Sequence, residues 1–441
     1  MLTKLISTAA LALAIAAPLC AVAPNTVIKT IAVGVSPSGV AITPNGQYAY
    51  VVNLSGNTVS VIRISDQSLY ATIADASLNG PYSVTIDPTG TYAYVTNSNT
   101  TTITVIEIAS NTVYTVLTGF DGPDGMVITP DNRYGYVAEY GTSSSATVVD
   151  VVNLGTGAVG PSISVGDAVA AIAMTKNGST VYAGNYNNGI PGVGSICVIA
   201  TASNTVTGTM TGFFGPYTIA LTPDNQHAYV TNFGNVDFVS VGDTVSVLNL
   251  SSNTVTDTIT VGTQPAGVAV TPDGLLAYVT LYNDQNSTPS PGEVKVIDTS
   301  TNTLTSTVIP VGQGPAQIAI TPNGEFAYVT NYIDNTVSVI ALPSFQIFAQ
   351  GTPTRSRFPL QIDLINRITW TVEGSSLPVR YTIYRDPGLT EVAAVIPGGC
   401  DCCLEFLDHN RRPCVPYTYY IVGTNSAGTT SDPVVVVVQQ P

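Results

Sequence analysis

Histidine, positive charge and tryptophan are scarce in this 441-residue chain, which has two histidines, 13 lysines and arginines and one tryptophan. The two histidines, His227 and His409, cannot form a His-x-x-x-His pair. The chain also has no Cys-x-x-Cys-His, Gly-x-Ser-x-Gly or phosphate-loop motif. The sequence therefore argues against a metallohydrolase and a multihaem protein.

Acidic residues outnumber basic ones by 28 to 13, which gives a formal net charge of −15. Residues 25–350 carry the excess, with 20 acidic and 5 basic side chains. An acidic surface repels nucleic acids and anionic lipids, so neither is expected as a partner. After the N-terminus no segment approaches the ~18 apolar residues that span a bilayer, so we expect no transmembrane segment in the mature chain.

Residues 1–23 have the features of an export signal, because Lys4 gives a positive start, an apolar run covers 9–17 and small residues follow. Cys20 suggests a lipoprotein as the alternative, but Ala17-Pro18-Leu19 makes a poor lipidation site. We therefore predict an exported protein, located outside the cell, on its surface or in the periplasm. The cleavage position stays open.

One phrase organises most of the chain and is clearest at residues 317–340, QIAITPNGEFAYVTNYIDNTVSVI. It predicts an apolar strand, a Pro-Asn-Gly type of turn, a second strand, a loop and a third, alternating strand. The turn occurs seven times, at spacings of 44, 42, 46, 47, 49 and 50 residues, with its second residue at Pro44, Pro88, Pro130, Lys176, Pro223, Pro272 and Pro322. Repeats of about 40 to 50 residues that contain only short strands are typical of propeller blades. The sequence therefore predicts an all-β fold with a seven-bladed β-propeller of four-stranded blades over 25–342.

A sequence typical of a fourth strand stands before the first blade. Asn25–Gly34 matches Asn253–Gly262, while blade seven supplies only three strands, at about 317–321, 326–331 and 336–341. We expect the N-terminal strand to complete blade seven, because this pairing removes an open sheet edge and ties the two ends of the ring together.

The second strand of each repeat ends in a variant of Tyr-Val-Thr-Asn. The seven copies are Tyr50–Asn53, Tyr94–Asn97, Tyr136–Glu139, Tyr182–Asn185, Tyr229–Asn232, Tyr278–Leu281 and Tyr328–Asn331. This phased series resembles the YVTN-repeat propellers of archaeal surface-layer and bacterial exported proteins, and it implies a cell-surface setting without naming a ligand. Copies three, four and six depart from the phrase, so we expect those blades to be specialised. The repeated residues themselves are interpreted as fold-making residues.

The loop between the second and third strands is long in blades four to six, at 185–194, 232–243 and 281–292. The three loops are expected to project on one face and to build a raised rim. Four exposed aromatic residues are predicted as binding residues on this rim, and they are Tyr186, Phe233, Phe238 and Tyr282. Asp124, near the channel mouth, is predicted as a further binding residue. The alternative is that the loops are neutral surface insertions.

A connector rich in Pro, Thr and Arg is expected at 343–357, followed by a second unit at 358–441. Trp370, the strand at 381–385, Tyr419 and the turn at 425–428 resemble a fibronectin type III domain. The resemblance implies a β-sandwich in which Trp370 and Tyr419 are buried packing residues.

Four of the six cysteines lie within 15 residues, at Cys400, Cys402, Cys403 and Cys414. In an exported chain they favour disulfides, with a zinc site as the alternative. Because Cys402 and Cys403 are adjacent, each is expected to pair with Cys400 or Cys414. Cys197, in a predicted third strand, is expected to be a buried free thiol.

No cofactor is predicted. Asp121 and Asp124, with Glu139 in the neighbouring strand, offer carboxylates near the channel mouth, so Ca²⁺ is the alternative to simple turn chemistry. The leading hypothesis is a non-enzymatic, exported or surface-displayed protein that binds a protein or glycan partner through one propeller face. The alternatives are a periplasmic lactonase-like propeller enzyme that uses Asp124, and a structural component of a surface layer.

Overall fold

A computed structural model describes residues 24–141, 147–186, 193–234, 241–282, 291–343, 345–358, 361–374, 380–397, 404–409, 416–424 and 434–439. Within these ranges every regular element is a β-strand. Seven four-stranded antiparallel sheets follow one another up to Ala341, and two further sheets come after them. The predicted all-β fold with a seven-bladed propeller is thus confirmed.

Each of the first six blades is an antiparallel meander whose strands pair in chain order, starting with the inner strand at the channel. Blades one and two comprise β2 (Pro37–Ile42), β3 (Tyr48–Asn53), β4 (Thr58–Arg63), β5 (Ser68–Ala74), β6 (Pro81–Ile86), β7 (Tyr92–Asn97), β8 (Thr102–Glu107) and β9 (Thr112–Thr118). Blades three and four comprise β10 (Pro123–Ile128), β11 (Tyr134–Glu139), β12 (Val148–Asn153), β13 (Ile163–Ser164), β14 (Val169–Met174), β15 (Thr180–Asn185), β16 (Gly194–Ala200) and β17 (Thr205–Phe213). Blades five and six comprise β18 (Pro216–Leu221), β19 (His227–Gly234), β20 (Val241–Asn249), β21 (Thr254–Thr260), β22 (Pro265–Val270), β23 (Leu276–Leu281), β24 (Gly292–Asp298) and β25 (Thr303–Val311).

Blade seven combines the two ends of the propeller. Its first three strands are β26 (Pro315–Ile320), β27 (Phe326–Asn331) and β28 (Thr336–Ala341), and its outer strand is β1 (Thr26–Ala32). The register of the antiparallel β1–β28 pair places Thr26 opposite Ala341 and Ala32 opposite Thr336. The predicted closure of the ring by the N-terminal strand is confirmed.

The core of the propeller lies between neighbouring blades. Along the second strand of blade one, Ala49 and Val51 pack against blade seven, whereas Tyr50 and Val52 pack against blade two. All four side chains are fully buried. Because successive strand residues point to opposite faces, a sheet that is covered on both faces has near-continuous apolar strands.

The tyrosine of the repeated phrase links each blade to the next. The Tyr50 hydroxyl donates a hydrogen bond of 2.5 Å to Oδ1 of Asn111 in blade two, and Tyr278 donates one of 2.7 Å to Oδ1 of Asn25 across the ring closure. Both asparagines have positive φ angles, 55° and 57°, in tight turns. Asparagine tolerates this backbone conformation better than most residues, which explains its recurrence in the phrase Asn-Thr-Val.

The C-terminal unit consists of two antiparallel sheets. One has the order β29-β30-β33, with β29 (Phe345–Phe358), β30 (Gln361–Gly374) and β33 (Leu404–Asp408). The other has the order β32-β31-β34-β35, with β31 (Arg380–Tyr384), β32 (Val392–Pro397), β34 (Pro416–Thr424) and β35 (Val434–Gln439). Trp370 and Tyr419 are buried in one apolar cluster, as predicted.

One segment of this unit differs from the prediction. Strand β29 occupies most of the connector predicted at 343–357, because it pairs with β30 along its whole length, from Phe345 opposite Gly374 to Phe358 opposite Gln361. The pairing partner turns a Pro- and Thr-containing segment into a strand, and composition alone does not reveal that partner.

Two predictions concern cysteine and membrane segments. Cys197 is a buried free thiol, as predicted, and its sulfhydryl donates to the carbonyl O of Val165 at 3.2 Å. The four cysteines predicted to form disulfides, Cys400, Cys402, Cys403 and Cys414, lie outside the described residues.

Among the residues that are described, no helix is long and apolar enough to cross a membrane.

Candidate functional site

A cavity of about 390 Å³ lies at the end of the central channel where the second strands of the blades finish. Sixteen residues of the described part of the chain line it. Fourteen of them come from two positions of the repeat, each supplied once by every blade, and the other two are Gly122 and Gly141 of blade three. The lining therefore follows the seven-fold repeat, although its side chains differ from blade to blade. We call it the upper cavity.

The first lining position is the second residue of each inner strand. The seven residues at this position are Ser38, Tyr82, Asp124, Ala170, Tyr217, Ala266 and Ala316. Where the phrase has its threonine, that hydroxyl fixes the inner strand of the next blade. Thr96 donates to the carbonyl O of Asp124, and Thr330 donates to that of Ser38, both at 2.8 Å. The repeated threonine thus positions the residues that face the channel.

The second lining position is the residue that follows each Tyr-Val-Thr-Asn copy. The seven residues there are Leu54, Ser98, Tyr140, Tyr186, Phe233, Tyr282 and Tyr332. Five of these are aromatic, and together with Tyr217 they form a continuous series of ring contacts from blade three to blade seven. The ring centroids are 4.9 Å apart for Tyr217 and Phe233, and the other neighbouring pairs are 6.0 to 6.5 Å apart. We call these six residues the aromatic arc.

The structure corrects the prediction of an exposed aromatic rim. Tyr186 and Phe233 are only 1% and 7% exposed, and Tyr282 is half-buried. Tyr186 and Tyr282 directly follow strands that converge on the channel, and Phe233 lies near the end of such a strand, so the three rings pack over the channel mouth and not out into solvent. The Tyr186 hydroxyl is also held inside, because it donates to the carbonyl O of Gly234. Phe238, the fourth predicted rim residue, lies outside the described residues.

Two tyrosines form a floor beneath the upper cavity. Tyr82 of blade two and Tyr217 of blade five reach across the channel, and their hydroxyls share a hydrogen bond. A second cavity of about 150 Å³ lies beyond them and shares the Tyr82 and Tyr217 walls. Gln317 makes another crossing, since its Nε2 donates to Oγ1 of Thr218 at 3.0 Å. The channel is therefore divided into two chambers.

Asp124 is the one acidic residue among the sixteen that line the upper cavity, and none of the sixteen is Lys, Arg or His. Its side chain is only 6% exposed. Thr96 binds its backbone carbonyl, but no described residue donates a hydrogen bond to its carboxyl group. Burial raises the pKa of Asp124 well above its usual range, and the negative charge of Glu139 adds to the shift. An empty cavity thus favours the neutral acid.

Glu139 and Asp150 form a second acidic feature behind this wall. In blade one the corresponding residues are Asn53 and Ser60, and Asn53 Nδ2 donates to Ser60 Oγ at 3.0 Å. Blade three replaces this neutral pair with two buried acids. Oε2 of Glu139 accepts from the backbone N–H of Asp121 at 2.7 Å, while its Oε1 and Oδ1 of Asp150 have no hydrogen-bond partner in the described structure.

The burial of Glu139 has a direct effect on its protonation. Desolvation raises its pKa to about 8, and the carboxyl groups of Asp150 and Asp121 contribute in the same direction. The backbone hydrogen bond from Asp121 opposes this shift without cancelling it. Among the described residues, no group of three or more His, Cys, Asp or Glu side chains is arranged to hold a metal ion. Asp121, Asp124 and Glu139, the residues of the alternative Ca²⁺ site, are not brought together as one such group.

Comparisons with known proteins agree with the propeller fold. A family model described as "Lactonase, 7-bladed beta-propeller" matches residues 20–118, which include β1 to β9. Among solved structures 1159 chains match, including one titled "Kuenenia stuttgartiensis Hydrazine Synthase". That chain is 20% identical, with a TM-score of 0.61 over 70% of this chain and 96% of its own. No curated protein matches. At such low identity the structural likeness shows the fold alone.

Sequence reasoning identified four of the lining residues, Asp124, Tyr186, Phe233 and Tyr282, but it placed the three aromatic residues on an exposed rim. It missed the other members of the aromatic arc and the tyrosine floor. The repeat itself contains a signal that could have identified these residues. Two positions that touch the channel vary from copy to copy, whereas the Pro that precedes the first of them recurs in six of the seven copies.

Proposed function

We propose that this protein is an exported, non-enzymatic binding protein that holds a small molecule in the upper cavity. The observation that carries the proposal is the lining, in which two phased positions of seven similar blades have diverged to give an aromatic arc, a tyrosine floor and one buried acid. A concave, largely apolar site with a few polar groups is the usual form of a small-molecule site. We therefore favour the upper cavity, and not the raised rim of the propeller, as the surface that contacts the ligand.

Several broader features support this setting. The chain resembles YVTN-repeat propellers, and residues 1–23, which lie outside the described residues, have the sequence of an export signal. The C-terminal sheets have three and four strands around Trp370 and Tyr419, as expected for a fibronectin type III-like module. We propose that this module tethers or displays the propeller outside the cytoplasm. The four clustered cysteines would then form disulfides in an oxidising compartment.

Binding in the cavity can be tested without knowing the natural ligand. A fragment collection is screened by saturation-transfer NMR against the parent protein and against Ala170→Phe, which places a ring in the upper cavity. The matched control is Ala109→Phe, the same substitution at an exposed turn on the opposite face. We expect fragments that bind the parent and the control but not Ala170→Phe. Fragments that bind all three proteins equally, or an absence of binders, would contradict the proposal.

Lactone hydrolysis is the second candidate, favoured by the family match over residues 20–118. In this reaction water attacks the ester carbonyl while the carboxylate of Asp124 takes its proton. The ring C–O bond then breaks, and the proton passes to the departing oxygen. A raised pKa makes the Asp124 carboxylate a stronger base in the fraction of the protein in which it is ionised.

The test measures the acid that is released from a panel of lactones, by titrating it with base at constant pH. Turnover by the parent that is lost in Asp124→Asn, with a melting temperature no lower than that of the parent, would establish the enzyme. No turnover, together with fragment binding in the cavity, would leave the binding function as the explanation of the site.

A further inference from the structure

We propose that the ligand of the upper cavity is an organic cation, such as an alkylated ammonium group, held between Asp124 and the aromatic arc. This inference rests on the proposed binding function and adds the chemical class of the ligand. It starts from the Asp124 carboxyl, which is buried in the cavity wall and accepts no hydrogen bond from any described residue. A buried acid without a partner is costly, so it indicates a group that arrives with the ligand.

Five of the other polar side chains of the lining are already engaged within the protein, among them Tyr186, which binds the carbonyl O of Gly234. Ser38 donates its hydroxyl to the carbonyl O of Tyr82 at 2.8 Å, and Ser98 donates to that of Gly80 at 3.2 Å. The hydroxyls of Tyr82 and Tyr217 bind each other. A sugar would need several free, directional donors and acceptors, and this wall offers few. The cavity is therefore better suited to a ligand with one charged centre and an apolar surface.

The aromatic arc supplies the second half of the recognition. Six rings cover the wall from blade three to blade seven, and aromatic faces attract cations through their negative quadrupole. Quaternary ammonium groups are held by such aromatic surroundings because they shed water at low cost. Metal ions of the Ca²⁺ type need six or more oxygen ligands, which one carboxyl group cannot provide.

The charge around the site points to the same class of ligand. Residues 25–350 carry 20 acidic and 5 basic side chains, so the propeller attracts cations from solution. The titratable groups that face Asp124 are Tyr82 and Tyr217 across the channel and Glu139 on the neighbouring strand, and none of them is cationic. None of the described side chains therefore competes with a ligand for the carboxyl charge.

The protonation of Asp124 gives this inference a distinctive signature. A cation placed beside the carboxyl group stabilises its ionised form, so binding is expected to release a proton from Asp124. Affinity should therefore rise with pH until the empty protein has lost that proton. A neutral ligand bound through its apolar surface alone would not have this coupling.

The test uses choline and its uncharged isostere 3,3-dimethylbutan-1-ol, which have the same shape apart from the charge. Each is titrated calorimetrically into the mature protein in two buffers of different ionisation enthalpy. We expect choline to bind at least about tenfold more tightly than the isostere, with proton release, and Asp124→Asn to remove most of this difference. The control variant Ala109→Phe should behave like the parent.

The outcomes separate this inference from the function on which it rests. Equal binding of choline and the isostere, or no binding of choline while fragments still occupy the cavity, would overturn the cation assignment and leave the binding function standing. An absence of both fragment and choline binding would overturn both. Asp124→Asn changes a buried residue and could affect folding. Its melting temperature therefore shows whether a loss of binding reflects unfolding.

Discussion

Removal of the N-terminal strand is the sharpest test of how the propeller is held together. Deleting Asn25–Gly34 leaves β28 as an open edge and removes six paired positions along β1. The backbone hydrogen bonds of these six positions each contribute about 1 kcal/mol, net of water, to the free energy of unfolding. The buried side chain of Ile31 adds about 2 kcal/mol. The total of about 8 kcal/mol is comparable to the whole folding free energy of many domains, about 5 to 15 kcal/mol.

We therefore expect the deletion to abolish cooperative folding of the entire ring and not to fray one blade. Thermal unfolding followed by circular dichroism and by calorimetry measures this, with two point variants as controls. Ile31→Ala, in the buried face of β1, should lower stability by about 2 to 4 kcal/mol. Thr30→Ala, on the exposed face, should change it little. A cooperative transition of the deletion variant at the parental melting temperature would refute the closure argument.

Two further predictions concern the site. Tyr186→Ala should lower the free energy of unfolding in urea by about 3 to 5 kcal/mol, because the ring is 1% exposed, whereas Tyr332→Ala, at a half-buried ring, should cost clearly less. Equal losses would show that the arc does not pack as described. Glu139 keeps its proton to about pH 8 in the folded chain but loses it near pH 4.5 when unfolded, so the parent should lose stability as pH rises between these values. Glu139→Gln should flatten this dependence in denaturation curves measured from pH 4 to pH 9, and an unchanged slope would contradict the assignment.

The architecture was predictable because its signals are local and repeated. The turn spacing, the strand alternation and the match between Asn25–Gly34 and Asn253–Gly262 each recur in phase. Repetition also specifies contacts, since every blade must meet the next in the same way. The Tyr50 bond to Asn111 is one instance of a contact that the recurring Tyr and Asn residues imply. A strand such as β29 was missed because its partner occurs once and has no repeated signal.

The site was harder to predict because its residues stand beside fold-making ones. Tyr186 and Phe233 adjoin the repeated phrase and open the long loops, so the sequence placed them with the loops. Whether a ring points to solvent or to the channel depends on how seven strand ends converge, which is a property of the closed ring. The bond between Tyr82 and Tyr217 joins residues 135 positions apart, and it too exists only after closure.

Blade three shows where selection for function departs from the needs of the fold. Blades one, five and seven fold with Asn and Ser at the positions of Glu139 and Asp150, and four of the other six blades have Ala or Ser at the position of Asp124. Burial raises the pKa of all three acids, so ionising any of them in the folded protein costs stability. The architecture gains nothing from that cost, because six blades close without it. We therefore attribute these acids to the proposed ligand site, because Asp124 lines the cavity and Glu139 and Asp150 lie behind its wall, where a bound cation would favour their ionised forms.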